Sequence, residues 1–171
     1  MTENLRVRYE IDLSVWRPRP DERGTMIRRL DPADQAALAR LLLDAYVGTV
    51  DYEGETLPEA TKEIDAWLRD SPMLDHSYGA VVAGHLVSAV LMMAFDDAPV
   101  VRALMTAPAH KGAGLGRAVT EAALASLRGS RYESVVLYIT KGNTPSERLF
   151  TAAGAVPTDM DQGIRANPWP D

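Results

Sequence analysis

Lys111-Gly112-Ala113-Gly114-Leu115-Gly116-Arg117 lies where a strand-like run, residues 100–106, gives way to an alanine-rich helical run, residues 115–128. At such a junction the unpaired N–H groups of the first helical turn and the positive end of the helix dipole favour an anion. Glycines let the backbone approach that anion closely. They also serve a plain tight turn from strand to helix, and the heptapeptide alone leaves both uses open. It does exclude two phosphate-binding patterns. Gly-Lys-Ser/Thr is absent at the offset a P-loop needs, and the glycines do not follow the G-x-G-x-x-G order of a dinucleotide fingerprint.

Working outward toward the N-terminus, residues 100–106 follow a turn at 96–99, a long apolar strand at 86–95, the turn Ala83-Gly84 and a strand at 78–82. Together these predict three antiparallel strands. Two helices come before them. One starts at Asp31-Pro32 and carries its apolar stripe on Leu38, Leu41, Leu42 and Ala45. The other starts at Thr56 and Pro58, with Ala60, Ile64, Trp67 and Leu68 at helical spacing until Pro72. Residues 25–30 read as a short strand. Residues 5–15 read as a half-buried one, because Leu5, Val7, Tyr9, Ile11, Leu13 and Val15 alternate strictly with Arg6, Arg8, Glu10, Asp12 and Ser14. Arg17-Pro18-Arg19-Pro20 breaks that strand and opens a linker to Gly24. Downstream of the heptapeptide, Gly129 closes the helix, residues 133–140 form a strand around Val135, Val136, Leu137 and Ile139, and a short helix at 144–153 ends at Gly154. The fold class is therefore α+β: a central, mostly antiparallel mixed sheet flanked by helices, with an extra N-terminal strand.

At 171 residues, with 46% hydrophobic and 25% charged side chains, the chain suits one compact domain rather than two, and its composition is not that of a disordered segment. The absence of cysteine rules out disulfides, a thiolate zinc site and a cysteine nucleophile; His76, His85 and His110 show no ligand spacing, so no metal is expected. The longest apolar-and-small run, 86–95, is about half of the ~20 residues a membrane-spanning helix needs. The first residues lack a secretory pattern, so the expected location is cytoplasmic, with no membrane partner. A net charge of -6 argues against a nucleic-acid partner. The charge is unevenly spread. From Asp44 to Asp75 nine acids stand against Lys62 and Arg69, whereas from Ala98 to Thr120 Arg102, Lys111 and Arg117 stand without an acid. The first stretch suits either a cation or a solvated helix face; the second, which coincides with the clustered glycines, suits an anion.

A second pattern follows the glycine loop at a fixed distance: Leu137-x-Ile139-x-x-x-Asn143-x-x-Ser146-x-x-Leu149-Phe150-x-x-x-Gly154. With the heptapeptide, which resembles a Gln/Arg-x-x-Gly-x-Gly/Ala loop with lysine at its first position, it makes residues 25–156 resemble the GCN5-related N-acetyltransferase (GNAT) superfamily. The resemblance divides the chain into an N-terminal strand and linker, 1–24, and an acetyltransferase domain, 25–171. It implies acetyl-CoA as cosubstrate. Leu104, Met105 and Thr106 would present strand backbone to the pantetheine arm, and Lys111, Gly112, Ala113, Gly114, Leu115, Gly116 and Arg117 would cradle the pyrophosphate. Asn143 would bond the pantetheine or fix the loop, and its place before Thr144-Pro145 equally suits a helix cap. Ser146 and Phe150 would face the sulfur end.

The implied reaction is direct attack by a primary amine on the thioester carbonyl within a ternary complex. An amine of pKa about 10 is roughly one part in a thousand neutral at pH 7, a cost of about 4 kcal/mol, while near-attack alignment can contribute on the order of 7–11 kcal/mol. Alignment is the larger effect. A backbone N–H near Met105 could stabilise the oxyanion. Two departures from the family matter: position 150 is phenylalanine where many relatives carry a proton-donating tyrosine, and residues 100–106 contain no glutamate to serve as a base. Tyr138 and Ser146 are the candidates for catalysis. Tyr46, Asp51, Tyr52, Glu53 and Tyr78 are candidates for binding the acceptor, a small-molecule or peptide amine, with the acidic 51–55 segment preferring a cationic one. The departures also admit a non-catalytic module that binds acyl-CoA as a sensor. After Gly154 only seventeen residues remain, Pro157, Pro168 and Pro170 among them, so the family's closing hairpin looks curtailed. Strand 5–15 is expected to replace the missing edge, either in its own subunit or across a homodimer.

Overall fold

The computed structural model describes residues 5–20 and 23–158; Pro168 and Pro170 fall outside them. Seven strands, β1 (Arg6–Asp12), β2 (Met26–Arg29), β3 (Tyr78–Val82), β4 (His85–Phe95), β5 (Ala98–Thr106), β6 (Ser134–Thr140) and β7 (Val156–Pro157), form one sheet in the order β2-β3-β4-β5-β6-β1-β7. Neighbours pair antiparallel except β5 and β6, which are parallel. The helices are α1 (Gln35–Tyr46), α2 (Leu57–Arg69), α3 (Leu115–Leu127) and α4 (Thr144–Ala152). This is the expected α+β arrangement. Among the described residues no helix is long and apolar enough to cross a membrane.

Local chemistry sets the boundaries. The Ala83-Gly84 turn has both residues at positive φ, 50° and 79°, as a two-residue hairpin turn requires. Asp96 and Asp97 do the same at 47° and 59°. That second tight turn lets β5 resume at Ala98, earlier than the expected 100, because aspartate tolerates the left-handed region. β1 is shorter than expected. Asp12 Oδ1 accepts from both Ser14 N, at 2.8 Å, and Ser14 Oγ, at 2.6 Å, which turns the chain after Asp12. Capping boxes at Asp31/Asp34 and Thr56/Glu59 start the segments leading into α1 and α2.

The N-terminal strand completes the sheet within its own chain. Arg6 to Asp12 pair in antiparallel register with Thr140 to Ser134, and the short β7 then pairs on β1 at Tyr9 and Glu10. β1 thus lies between β6 and β7 and closes the side on which the C-terminal hairpin looked curtailed. Both sheet faces are covered. α1 and α2 bury Leu38, Leu41, Ile64 and Trp67 on one face, against Leu91, Val100, Met105 and Val136. α3 buries Val119, Leu124 and Leu127 on the other, with Ile11, Val135 and Leu137. The alternation Val135, Val136, Leu137 therefore feeds two cores, one residue at a time.

Candidate active site

β5 and β6 pair only at Val100↔Val136 and then part. A cavity of about 330 Å³ opens where they separate, lined by Leu104, Tyr138, Thr140, Asn143, Ser146 and Phe150, and on its far side by Tyr46, Asp51, Tyr52, Glu53, Glu55 and Glu63. The β5 backbone has two sides there. Ala107 N donates to Val87 O at 2.8 Å and Ser88 Oγ to Met105 O at 2.9 Å, so the backbones of Met105 and Ala107 face β4. By strand alternation, Leu104 and Thr106 turn their N–H and C=O groups to the cleft. Met105, expected among the backbone presented to a ligand, is therefore a buried, β4-facing residue.

At the end of β5 the glycine loop enters α3. Gly112 and Gly114 hold φ of +79° and +80°, a conformation L side chains rarely adopt. No side chain caps α3, and its first intrahelical bond is Ala118 N to Gly114 O at 3.0 Å, which leaves the amides of Leu115, Gly116 and Arg117 ahead of the ladder. At Gly116 a Cβ would lie 3.3 Å from Leu149 Cδ1 and 3.4 Å from Thr106 Oγ1, so the packing of α3 on β5 and α4 leaves little room for a side chain there. Bare amides at a helix N-terminus in a tight cradle fit a phosphate. Leu115 is buried and contributes only backbone. The Lys111 side chain does not point into the cradle: its Nζ donates to Ala45 O at 3.0 Å, where a cation suits the carbonyl end of α1. Arg117, half-exposed, sits 3.8 Å from Glu121.

Asp51 joins the two walls. Its Oδ1 accepts from Thr140 Oγ1 at 2.5 Å and its Oδ2 from Asn143 Nδ2 at 2.8 Å. Asn143 also caps α4, its Oδ1 accepting from Ser146 N at 3.2 Å. Its amide thus both caps the helix and fixes the loop. Tyr46 lies in the field of Asp51; burial first, then that carboxylate, pushes its phenol up to about 12. It carries its proton at neutral pH and is a hydrogen-bond donor rather than a base.

Tyr78, expected at the acceptor site, is elsewhere. It sits on β3, separated from the cleft by β4 and β5, packs against the core under α3, and stands opposite Arg29 of β2. The cavity instead gathers charges that the sequence reading did not select. Arg102 Nη2 donates to Glu63 Oε2 at 2.5 Å, tying β5 to α2, and Arg6 reaches the wall through β1. Arg102 and Glu63 had been visible only as members of oppositely charged stretches; Arg6 arrives by the Arg6↔Thr140 register. Four acids and two arginines leave the lining at a net of -2. Among the described residues no group of three His, Asp or Glu side chains could hold a metal.

A sheet parted beside an uncapped glycine loop, with a charged cavity beyond, defines an α+β protein with an open cleft at the end of its parallel strand pair. The sequence model of the acetyltransferase (GNAT) family matches residues 36–155, and the chain belongs to that family. It is 28% identical over 136 residues to a mycothiol acetyltransferase of Thermobispora bispora, covering 77% of this chain and 46% of that protein. The chain thus spans less than half the length of that relative. Among solved structures, a GCN5-related N-acetyltransferase from Sphaerobacter thermophilus superposes with a TM-score of 0.72 at 17% identity, over 91% of this chain and 49% of that one. A GNAT family acetyltransferase from Brucella melitensis, in complex with acetyl-CoA, superposes with a TM-score of 0.60 at 21% identity, over 84% and 96%.

Proposed function

We propose that this chain transfers an acetyl group from acetyl-CoA to a primary amine that carries positive charge. The observation that carries the reading is the parting of β5 from β6 after Val100↔Val136, which leaves one side of the β5 backbone open beside an acidic cavity, with the glycine loop following at the end of β5. Acetyl-CoA is the cosubstrate, its pyrophosphate on the amides from Gly112 to Arg117 and its pantetheine arm along Leu104 and Thr106. The thioester supplies the electrophilic carbonyl. The Leu104 amide, turned to the cleft, takes the role of oxyanion donor first assigned near Met105.

Phe150 is buried in the cavity wall and has no proton to give. Tyr46 holds its proton more tightly than an ordinary phenol, so it is a poorer acid toward a thiolate than an unburied tyrosine would be. The thiolate therefore leaves with help from solvent. Glu53 and Glu55 attract the ammonium, and by the same field favour its charged form. Turnover should then rise with pH toward the amine's own pKa.

The test is thiol release from acetyl-CoA across a panel of monoamines, diamines, amino acids and aminosugars. Glu53→Gln with Glu55→Gln should raise KM for a cationic amine about 5- to 10-fold while leaving KM for acetyl-CoA alone, the size expected of partly solvated charges. CoA binding without thiol release from any amine would instead support the acyl-CoA sensor. An unchanged amine KM would remove the acidic wall from the acceptor site.

A further inference from the structure

We propose that Arg23, on the linker between β1 and β2, is a ligand of the acetyl-CoA pyrophosphate; this rests on the reading that the glycine loop holds that group. The linker does not hang free. Trp16 is buried at its start, Arg19 N donates to Glu121 Oε2 at 2.8 Å on α3, and Arg19 Nη2 donates to Ala152 O at 2.6 Å at the end of α4. Four residues further along the sequence, Arg23 lies at the N-terminus of α3. There the Arg23 guanidinium lies directly against Gly114, where a side chain would collide with it.

The placement is electrostatically specific. Gly114 is the N-cap of α3, so Arg23 brings a full positive charge to the positive end of a thirteen-residue helix, with Arg117 in its first turn. Cations normally favour the opposite end of a helix. An anion of two charges seated on the loop amides reverses the sign of that arrangement, because it is attracted by the helix end and by the guanidinium together. Arginine suits this geometry, since its planar fork can meet two phosphate oxygens at once. Gly114 is needed for its left-handed φ of +80°, and its bare backbone lets the Arg23 guanidinium lie against it. The linker belongs to the nucleotide end of the site, although it precedes the glycine loop by nearly ninety residues.

Calorimetry on the full chain decides it, with CoA, dephospho-CoA and acetyl-pantetheine as probes. Arg23→Ala and Arg23→Gln should weaken CoA and dephospho-CoA by the same factor, about tenfold at low salt, and leave acetyl-pantetheine unchanged. Arg23→Lys should recover part of the loss, and Arg131→Ala, at an exposed arginine away from the cleft, should show none. Having two substitutions at an exposed position guards against a variant that misfolds. Variants that bind CoA within about twofold of the unaltered protein overturn the assignment while leaving the glycine-loop site standing. A loss for CoA but not for dephospho-CoA overturns it too, by moving the contact to the 3′-phosphate. Failure of the unaltered chain to bind CoA removes both readings.

Discussion

Replacing Asp51 by alanine removes the acceptor that ties the loop after α1 to the corner between β6 and α4. Two donors lose their partner: the hydroxyl of Thr140, a buried residue, and one proton of Asn143 Nδ2. A hydrogen bond to a charged group contributes about 1.5–3 kcal/mol, and a buried donor left unmet costs about 1–3 kcal/mol. The Thr140 hydroxyl can rotate and Asn143 can find water, so the closed loop should lose about 2–3 kcal/mol rather than the sum of both bonds. With the closed loop as the amine-binding form, kcat/KM for the amine falls roughly 30- to 150-fold. Asp51→Asn is milder. Its amide oxygen can still accept from Asn143 and its NH2 group can donate to Thr140, so only the charge assistance goes, about 1 kcal/mol and roughly fivefold. The assay is thiol release at saturating acetyl-CoA, run as a double-mutant cycle with Asn143→Ser. Serine keeps the cap on α4 and loses the donor to Asp51. A coupling of about 1–2 kcal/mol between the two positions is expected. Additivity within about 0.3 kcal/mol, or an unchanged kcat/KM in Asp51→Ala, would show that the bridge does not organise the site.

Other consequences concern fold and cosubstrate. Ile11→Ala should lower stability by about 2–5 kcal/mol in chemical denaturation, because Ile11 is 1% exposed in the core under α3. Deleting residues 1–20 should abolish cooperative unfolding, since β1 stands between β6 and β7; a truncated chain that melts like the full one would contradict this. Gly114→Ala should abolish calorimetric CoA binding and cost about 1–2 kcal/mol of stability, from the left-handed φ alone. Burial holds the His76 imidazole below its usual range, so the folded state prefers the neutral ring; its contribution is complete above about pH 6.5 and is lost as pH falls through the folded-state value. Tm should therefore drop between pH 7.5 and 5, less steeply in His76→Gln, and parallel slopes would refute the assignment.

Much of the glycine-loop end of the cleft was legible because its signals are local. Gly112 and Gly114 answer to a φ that few other residues adopt, and Asn143 before Thr144-Pro145 marks a helix start whatever surrounds it. The cavity wall opposite was legible in part. The acidic 51–55 segment does line the cavity, but a charge run says nothing about which of its members meet donors, and Asp51 turned out to be held at both oxygens. Tyr78 resembled the other tyrosines in sequence and differed only by standing two strands away from the cleft. The backbone of Met105 faces β4 rather than the cleft for a smaller reason. Adjacent residues of a strand turn their amides to opposite neighbours, and only the pairing with β4 shows which parity faces the opening.

Periodicity, capping residues and turn glycines determine the order of strands and helices here, and with it the α+β class and the loop that enters α3, because each depends on neighbours a few positions apart. Long-range pairing decided the remainder. Strand alternation makes β1 a strand without naming its partner, and its register on β6 is what brings Arg6 to the cavity. Likewise Glu63 and Arg102 meet only when α2 packs over β5, and the linker brings Arg19 to α3 and α4 and Arg23 to Gly114 across about ninety residues of sequence or more. Contacts of that kind are set by how the chain returns on itself in three dimensions, which no local window of sequence contains.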